Sequence, residues 1–317
     1  MNKKLTRLFS KVGFWLTILT LGSLWGQFHW VLDVLSHFNL QYGIGLIVCF
    51  IGLVFVPGRR HYAFGLLPAL LINAVILIPY FLPLSPLATA ATTPLRVATL
   101  NISARNKNYE ATIAYLKEYQ PDIVMLTEAE PELMVALNRS VSELYPYILD
   151  ESVAGTFGLA LLSQHPFLLA ETVPMLETST SRWQRHFLRA EIEWQGSPVT
   201  IYGAHPLPPL SSRWAAWRNT ELKLIQSILA NDSTPLILLG DFNASPWAYP
   251  MRRLITGTNL HHAARGFGIG PTWYYLLFGA PLDHILVSST WSALLYDIND
   301  DIGSDHYPVM ADLILKN

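Results

Sequence analysis

Hydrophobic and polar positions divide this chain into two regimes. Twenty-one residues without Asp, Glu, Lys or Arg separate Lys11 from Asp33, twenty-five separate Asp33 from Arg59, and thirty-five separate Arg60 from Arg96. A membrane helix needs roughly 20 apolar residues, so these runs predict three helices, near 12–31, 38–57 and 62–83. No small-x-small cleavage site follows the first cleanly and two more apolar runs come next, so it reads as retained rather than as a cleaved signal. Gly22 and Gly26 form one G-x-x-x-G, a pattern of close helix contact.

Beyond Pro94 the pattern changes to short apolar runs of strand length. They lie at Leu95–Leu100, Asp122–Thr127, Val199–Ala204, Pro235–Leu239, Ile285–Ser288 and Tyr307–Leu315. Helices are predicted at Tyr109–Tyr119, stopped by Pro121, and at Trp214–Ala230, stopped by the polar stretch Asn231–Pro235. A polar group stands at the end of nearly every strand run: Asn101, Glu128, His205, Asp241 with Asn243, Asp283 with His284, and Ser304-Asp305-His306. Asp241 and Asn243 are two apart, so in extended chain they share a face. Strand ends that meet at one rim make a rigid platform for a site.

Basic residues suggest an orientation. Lys3, Lys4, Arg7 and Lys11 precede the first apolar run, Arg59 and Arg60 lie between the second and third, and the loop from Asp33 to His37 has neither Lys nor Arg. Positive-inside then puts the N-terminus in the cytoplasm and, after three spans, everything beyond about residue 84 outside it. The expected organisation is a transmembrane region at 1–84, a Pro/Ala/Ser/Thr-rich linker at 85–94 and one catalytic domain at 95–317, in a multi-pass protein of the cytoplasmic membrane.

Composition fits that division. The hydrophobic fraction of 51% comes largely from the front end, and the single Cys, Cys49, falls in the second apolar run. Residues 94–317 hold 15 basic and 22 acidic groups, a formal net charge of −7. A general DNA-binding surface is normally basic. The densest basic stretch, Arg182, Arg185 and Arg189, is a candidate cleft lining, with a solvated strand and loop as its bland alternative. No Cys cluster, His-x-x-x-His, Walker loop or G-x-S-x-G elbow is present, which removes zinc, NTPase and serine-hydrolase readings.

Six motifs, in order, carry a family resemblance: Leu-Asn-Ile (100–102), Leu-Thr-Glu (126–128), Gly-Ala-His (203–205), Gly-Asp-Phe-Asn (240–243), Leu-Asp-His-Ile-Leu-Val-Ser (282–288) and Ser-Asp-His-Tyr-Pro-Val (304–309). The chain from about Leu95 onward resembles the endonuclease/exonuclease/phosphatase superfamily, whose fold is also called DNase I-like. That resemblance implies an α/β domain, a two-sheet β-sandwich flanked by helices, here preceded by the all-α transmembrane region of three helices. It implies Glu128 as principal Mg²⁺ ligand with Asn101 beside it and Asp305 supporting the metal end, Mn²⁺ being the alternative ion. It also implies Asp241 orienting or deprotonating water, or binding a metal, and Asn243 steadying the phosphate. His306 would contact the phosphate or act as base, supported by Asp283. His205 resembles the His of the phosphatase, sphingomyelinase and DNase I-like branches, which the abasic-site repair branch lacks.

Departures matter equally. Ser103 stands where repair members carry Asp. Arg218-Asn219-Thr220-Glu221 replaces the frequent Arg-x-x-Gln, so Arg218 either reaches a phosphate or pairs with Glu221 on the surface. His284 stands where many relatives have Tyr and reads as a neutral core or supporting histidine. Thr272–Phe278 is aromatic and apolar, either a lip on the bilayer or substrate, or core. Trp214 and Trp217 present the same choice between a lip and a helix face.

The chemistry also stands without the family. Phosphodiester hydrolysis needs neutralised non-bridging oxygens, an aligned water and a proton for the leaving group. Carboxylates and carboxamides are the hard oxygen donors Mg²⁺ prefers, and two histidines can divide acid and base work near neutral pH. The expected function is thus a membrane-anchored, metal-dependent phosphoesterase whose substrate is a lipid or small phosphoester in preference to nucleic acid. An extracytoplasmic nuclease and an inactive membrane interaction module of the same fold are the alternatives.

Overall fold

The computed structural model describes residues 3–82, 93–175, 185–276 and 278–316. Arg182, Leu277 and most of the expected linker lie outside them.

Five helices come first: α1 (Lys3–Ser23), α2 (Trp30–Ser36), α3 (Asn39–Val54), α4 (Arg60–Phe64) and α5 (Leu67–Phe81). The three predicted spans reduce to fewer that meet the requirements of length and hydropathy. Among the described residues one helix does so, Arg60–Phe81 across α4 and α5, and a second does if α2 and α3, bent by 62° at their junction, count as one. The first run falls short of those requirements because α1 begins among Lys3, Lys4, Arg7 and Lys11 and stops at Ser23. The chain then turns through Leu24–Phe28, with Trp25 N–H donating to Gly22 O (3.0 Å) and Phe28 N–H to Trp25 O (3.0 Å). Gly26 is required at this turn: a Cβ there would stand 2.9 Å from the Asp33 Cα. The G-x-x-x-G face therefore packs on α2.

The helices pack antiparallel, Phe9 against Gly52 and Leu16 against Gly45. Their outward faces are apolar, with Trp15, Phe55, Leu71 and Val75 all more than half exposed, while Thr6, Thr20 and Asn73 are buried. Asn73 Nδ2 donates to Thr20 Oγ1 across the bundle (3.0 Å).

The remainder forms two six-stranded sheets. The first contains β1 (Leu95–Asn101), β2 (Ile123–Thr127), β3 (Tyr147–Glu151), β4 (Leu159–Ser163), β13 (Trp291–Ile298) and β14 (Val309–Leu315), in the order β13-β14-β1-β2-β4-β3. The second contains β5 (Phe167–Pro174), β6 (His186–Trp194), β7 (Ser197–Gly203), β8 (Leu236–Asp241), β9 (His261–His262) and β12 (Asp283–Val287), in the order β5-β6-β7-β8-β12-β9. A separate hairpin joins β10 (Trp273–Tyr275) to β11 (Phe278–Ala280). The helices α6 (Tyr109–Tyr119), α7 (Pro131–Val141), α8 (Ser212–Leu229) and α9 (Tyr249–Thr258) complete the fold.

The predicted helix at Tyr109–Tyr119 is α6, and Ser211 starts α8 by accepting the Trp214 N–H at 3.2 Å. The central strands are unbroken apolar runs because both their faces are covered. Val97, Met125, Ile201 and Leu239 pack between the sheets. Ala98, Val124 and Leu126 face outward onto α6 and α7, and Tyr202, Leu236 and Leu238 onto α8 and α9. Each Val, Leu, Ile or Met side chain withdrawn from water in this way contributes about 1.5–3 kcal/mol.

Register builds the rim. β1 and β2 run parallel with Asn101 opposite Thr127, so Asn101 and Glu128 leave the first sheet side by side. β7 and β8 run parallel in the second sheet, and β12 returns antiparallel with Asp283 opposite Asp241. Gly240, at φ +142, is where the β8 backbone passes Ala204, and a Cβ there would overlap the Ala204 carbonyl. The Gly of Gly-Asp-Phe-Asn thus lets Asp241 and His205 approach one another.

Candidate functional site

Asp241 is the centre of the polar cluster at that rim. Its carboxylate is buried, Oδ1 accepts the Asn243 N–H (2.8 Å), and Oδ2 accepts Asn101 Nδ2 (3.0 Å). Two imidazoles face the same oxygen, His205 Nε2 at 3.5 Å and His306 Nε2 at 3.8 Å. Burial pushes the Asp241 carboxyl up, but the charge of His306, then the hydrogen bond and charge of His205 and the Asn243 N–H, outweigh it and bring it down to about 2.

Three residues here have left-handed backbones, Ser103 and Glu128 at φ 57 and Asn243 at φ 49. Such conformations cost roughly 1–3 kcal/mol each for non-glycine residues. Polar side chains hold these turns. Asn101 Oδ1 accepts the Ser103 N–H (2.9 Å), Glu128 Oε2 accepts the Ala104 N–H (2.8 Å), and Asp241 holds Asn243. Asn101 Nδ2 also lies 3.5 Å from Glu128 Oε1, so the polar ends of β1 and β2 touch. The departure at Ser103 leaves its backbone, not its side chain, tied to Asn101.

His306 Nδ1 donates to Asp283 Oδ2 (2.8 Å). The Thr272 hydroxyl donates to that same oxygen (2.6 Å) while accepting the N–H groups of Leu282 and Asp283 (both 3.0 Å). This fixes the ring, with Nε2 aimed at the Asp241 side. Burial opposes charge on His306, but Asp283 and Asp241 outweigh it and raise its pKa to about 10. His306 therefore carries a proton at neutral pH. Ser304 anchors the loop, its hydroxyl donating to Asn101 O (2.8 Å) and accepting the His306 N–H (3.1 Å). The supporting roles of Thr272 and Ser304 were beyond sequence reasoning because both act through backbone groups of distant strands.

The structure brings Asn101, Glu128, His205, Asp241, Asn243, Asp283 and His306 to this rim. Asp305 is exposed on the loop beside His306, and its carboxylate makes no hydrogen bond or ion pair among the described residues. Asp241, Asp283 and His306 offer ligand atoms within 4.8 Å of one another and could hold a metal ion if His306 gave up its Nε2 proton. Asp283 Oδ1 is buried without a partner, an acceptor left over in that group. Asn101 and Glu128, on the other side of Asp241, add further oxygens. The donor set is oxygen-rich, as a hard divalent cation requires.

Two expectations need correction. Arg218 reaches neither a phosphate nor Glu221. It is wholly buried and pairs with Asp33 of α2, and its Nη1 donates to Asn243 O (3.1 Å). Glu221 instead pairs with Arg185 (2.6 Å), whose Nη2 donates to His205 O (2.6 Å), so Arg185 props the His205 backbone from behind. Arg189 is engaged by Glu171 and Glu191 on the second sheet. The basic stretch is thus no cleft lining among the described residues.

His284 is the buried neutral histidine expected. Burial brings its pKa down to about 4. His262 Nε2 donates to its Nδ1 (2.8 Å) and its Nε2 donates to Ala244 O (2.7 Å). Within the aromatic stretch, residues 274–276 and 278 are not core. Tyr274 is 43% exposed, Tyr275 64%, Leu276 83% and Phe278 60%. Its hairpin lies against the site, Trp273 bridging His306 and Tyr274 N–H donating to Asp305 O (3.0 Å). It also touches the helical region, through Phe38 against Phe278 (ring centroids 6.0 Å apart) and Gln41 donating to Gly279 O.

A family model described as Endonuclease/Exonuclease/phosphatase family matches residues 98–306. Among solved structures, an endonuclease/exonuclease/phosphatase from Beutenbergia cavernae DSM 12333 superimposes with a TM-score of 0.60 at 20% identity, over 71% of this chain and 72% of its own. TDP2 from D. rerio complexed with single strand DNA product gives 0.58 at 16% identity, over 70% of this chain and 100% of its own. Sphingomyelinase C from Streptomyces griseocarneus gives 0.54 at 18% identity, over 70% and 99%. At these identities the structures show a shared fold. No curated protein matches the chain.

Proposed function

The chain belongs to the endonuclease/exonuclease/phosphatase family, and from that premise we propose a membrane-anchored, Mg²⁺-dependent phosphoesterase that cleaves a lipid or small-molecule phosphoester by attack of water. The observation that carries the reading is the single Asp241 carboxylate held among Asn101, His205 and His306 at the rim of both sheets.

Glu128 and Asn101 would hold the ion, supported by Asp305, with Asp241 and Asp283 as the remaining oxygen donors. A bound Mg²⁺, or Mn²⁺ in its place, would supply charge neutralisation for the phosphate. Asp241, ionised down to about pH 2, orients the attacking water and takes its proton. His306, charged up to about pH 10, faces a phosphate oxygen or hands a proton to the leaving group. Asn243 donates one amide hydrogen to Pro206 O (3.0 Å) and keeps the other for the phosphate. His205, facing the same Asp241 oxygen as His306, shares the acid–base work.

Membrane anchoring is supported by the apolar exterior of α1, α3 and α5 and by the buried Thr20–Asn73 pair. α1 packs antiparallel along α3, so we take it as a third embedded helix beside the two candidate spans. Lys3, Lys4, Arg7, Arg59 and Arg60 then share one end, which is cytoplasmic, and residues 95–317 form the catalytic domain outside. A reporter fused after Asn317 is expected to be active only outside the cytoplasm, and one near Arg60 only inside. A cytoplasmic C-terminal reporter would overturn this orientation.

The exposed aromatic hairpin beside His306 and Phe38 supports a lipid substrate, since Trp and Tyr favour the bilayer interface. The net charge of −7 over 94–317 disfavours long nucleic acid. Replacing Tyr275, Leu276 and Phe278 with Ser is expected to reduce turnover of phospholipid vesicles by about tenfold while changing that of bis(4-nitrophenyl) phosphate less than about twofold. Equal losses on both would remove the interfacial role. The likeness to TDP2 bound to a DNA product favours the nuclease alternative. Turnover of DNA by the full chain, with none of phospholipid, would establish that alternative.

A further inference from the structure

The loop that carries Asn243 is held from outside the catalytic sheets. From Asp241 to the first residue of α9 the chain passes residues 243, 245, 247 and 249, and each of the four is bonded to α2 or its C-cap, directly or through one side chain. Arg218, with no exposed surface, pairs with Asp33 and donates to Asn243 O (3.1 Å). Ser245 meets His37 Nδ1 through its hydroxyl (3.2 Å) and its N–H (3.4 Å). Trp247 Nε1 donates to Ser36 O, and the Tyr249 N–H donates to Asp33 Oδ1 (2.9 Å). Both oxygens of Asp33 are thus used on this loop, one through Arg218 and one directly.

We propose that Asp33 is a positioning residue of the active site: through Arg218 it sets the backbone of Asn243, so the membrane-proximal helix α2 forms part of the catalytic apparatus.

The physical reasons are on both sides of the contact. Asn243 has a left-handed backbone at φ 49, which needs outside support to persist. Asp241 provides one hold through the Asn243 N–H, and Arg218 provides the other through its carbonyl. Asp33 is 2% exposed and Arg218 is 0% exposed. A buried guanidinium keeps its direction only when a fixed carboxylate faces it, because its donors have a rigid fork. Asp33 is fixed in turn by the close approach of Gly26 to its Cα. The chain from Gly26 to Asn243 therefore consists of packed or hydrogen-bonded steps. A misplacement of about 1 Å at a phosphate-holding amide can cost about a hundredfold in rate.

The kinetic part of this proposal rests on the phosphoesterase reading, whereas the structural part does not. The test uses the full chain in detergent with Mg²⁺. Asp33→Asn, Gly26→Ala and Asn243→Ala are compared with Leu46→Ala, which opens a cavity in the α3 core without touching the loop. Two readouts are taken, steady-state hydrolysis of bis(4-nitrophenyl) phosphate and backbone hydrogen exchange at 243–249. Asp33→Asn is expected to lower kcat by about tenfold or more with KM within about twofold, because the lost contact acts in the transition state. Asp33→Asn combined with Asn243→Ala should lose no more than Asn243→Ala alone. Exchange at 243–249 should rise by about tenfold or more in Asp33→Asn and in Gly26→Ala, and stay unchanged in Leu46→Ala. Unchanged exchange and kcat in Asp33→Asn, full additivity with Asn243→Ala, or an equal effect of Leu46→Ala would each overturn the positioning role. If the wild type turns over no phosphoester, the functional reading fails, and the exchange measurement still decides whether α2 holds the loop.

Discussion

Asp241→Asn is expected to lower phosphoester hydrolysis by about 10²–10⁴-fold while the protein still folds. A carboxamide cannot take a proton from water, and general-base assistance is worth about that factor. The substitution also removes the charge that faces His205 and His306 and helps hold the latter protonated. Folding should survive because the Asn side chain has the same shape and its oxygen can still accept the Asn243 N–H, now 2.8 Å from Asp241 Oδ1. Glu128→Gln is the companion variant. It should raise the Mg²⁺ concentration needed for activity, since a neutral amide holds a divalent ion poorly. Hydrolysis and thermal melting measured together separate loss of chemistry from loss of structure. Near wild-type rates in both variants would place the reaction elsewhere in the molecule.

Arg218→Met is expected to destabilise the chain by about 3–5 kcal/mol, the usual cost of stranding one partner of a buried ion pair. The carboxylate of Asp33 would be left in an apolar contact between α2 and α8 with only the Tyr249 N–H. Desolvation then dominates, because no nearby cation remains to offset it. The double variant Asp33→Leu/Arg218→Met should recover most of the lost stability, since replacing both charges by apolar groups is often close to neutral. Differential melting of the three variants checks this. Recovery of stability without recovery of kcat would separate the pair's contribution to folding from its effect on Asn243. Equal destabilisation by the single and double variants would mean the contact is held by packing rather than by charge.

Much of the polar rim was legible because strands translate sequence directly into position. A short apolar run such as Ile123–Thr127 or Leu236–Leu239, bounded by Pro and polar residues, fits a strand covered on both faces, and the polar residue that follows emerges at its end. Asn101, Glu128, His205, Asp241 and His306 were found on that basis together with ordered motifs. The apolar front end was equally visible as composition, although its division into spans was not. Residues 12–31 form one uncharged stretch but not one helix, because the chain must turn at Gly26 to seat Asp33.

By itself the sequence determined six of the strands, the helices α6 and α8, the polar residues at the strand ends and the apolar character of the first third, all of which follow from local periodicity and hydropathy. Only the tertiary structure decided which of those residues act on one another. Arg218 and Glu221 are three apart on one helix, the spacing of a surface pair, yet Arg218 pairs with Asp33 and Glu221 with Arg185. Thr272, an unremarked residue before an aromatic run, donates to the carboxylate that orients His306. These partners lie far apart in the chain, and no local pattern encodes their meeting. Burial excludes water at the contact, so each buried polar group must find its partner within the protein, and the folded packing alone determines which one is within reach.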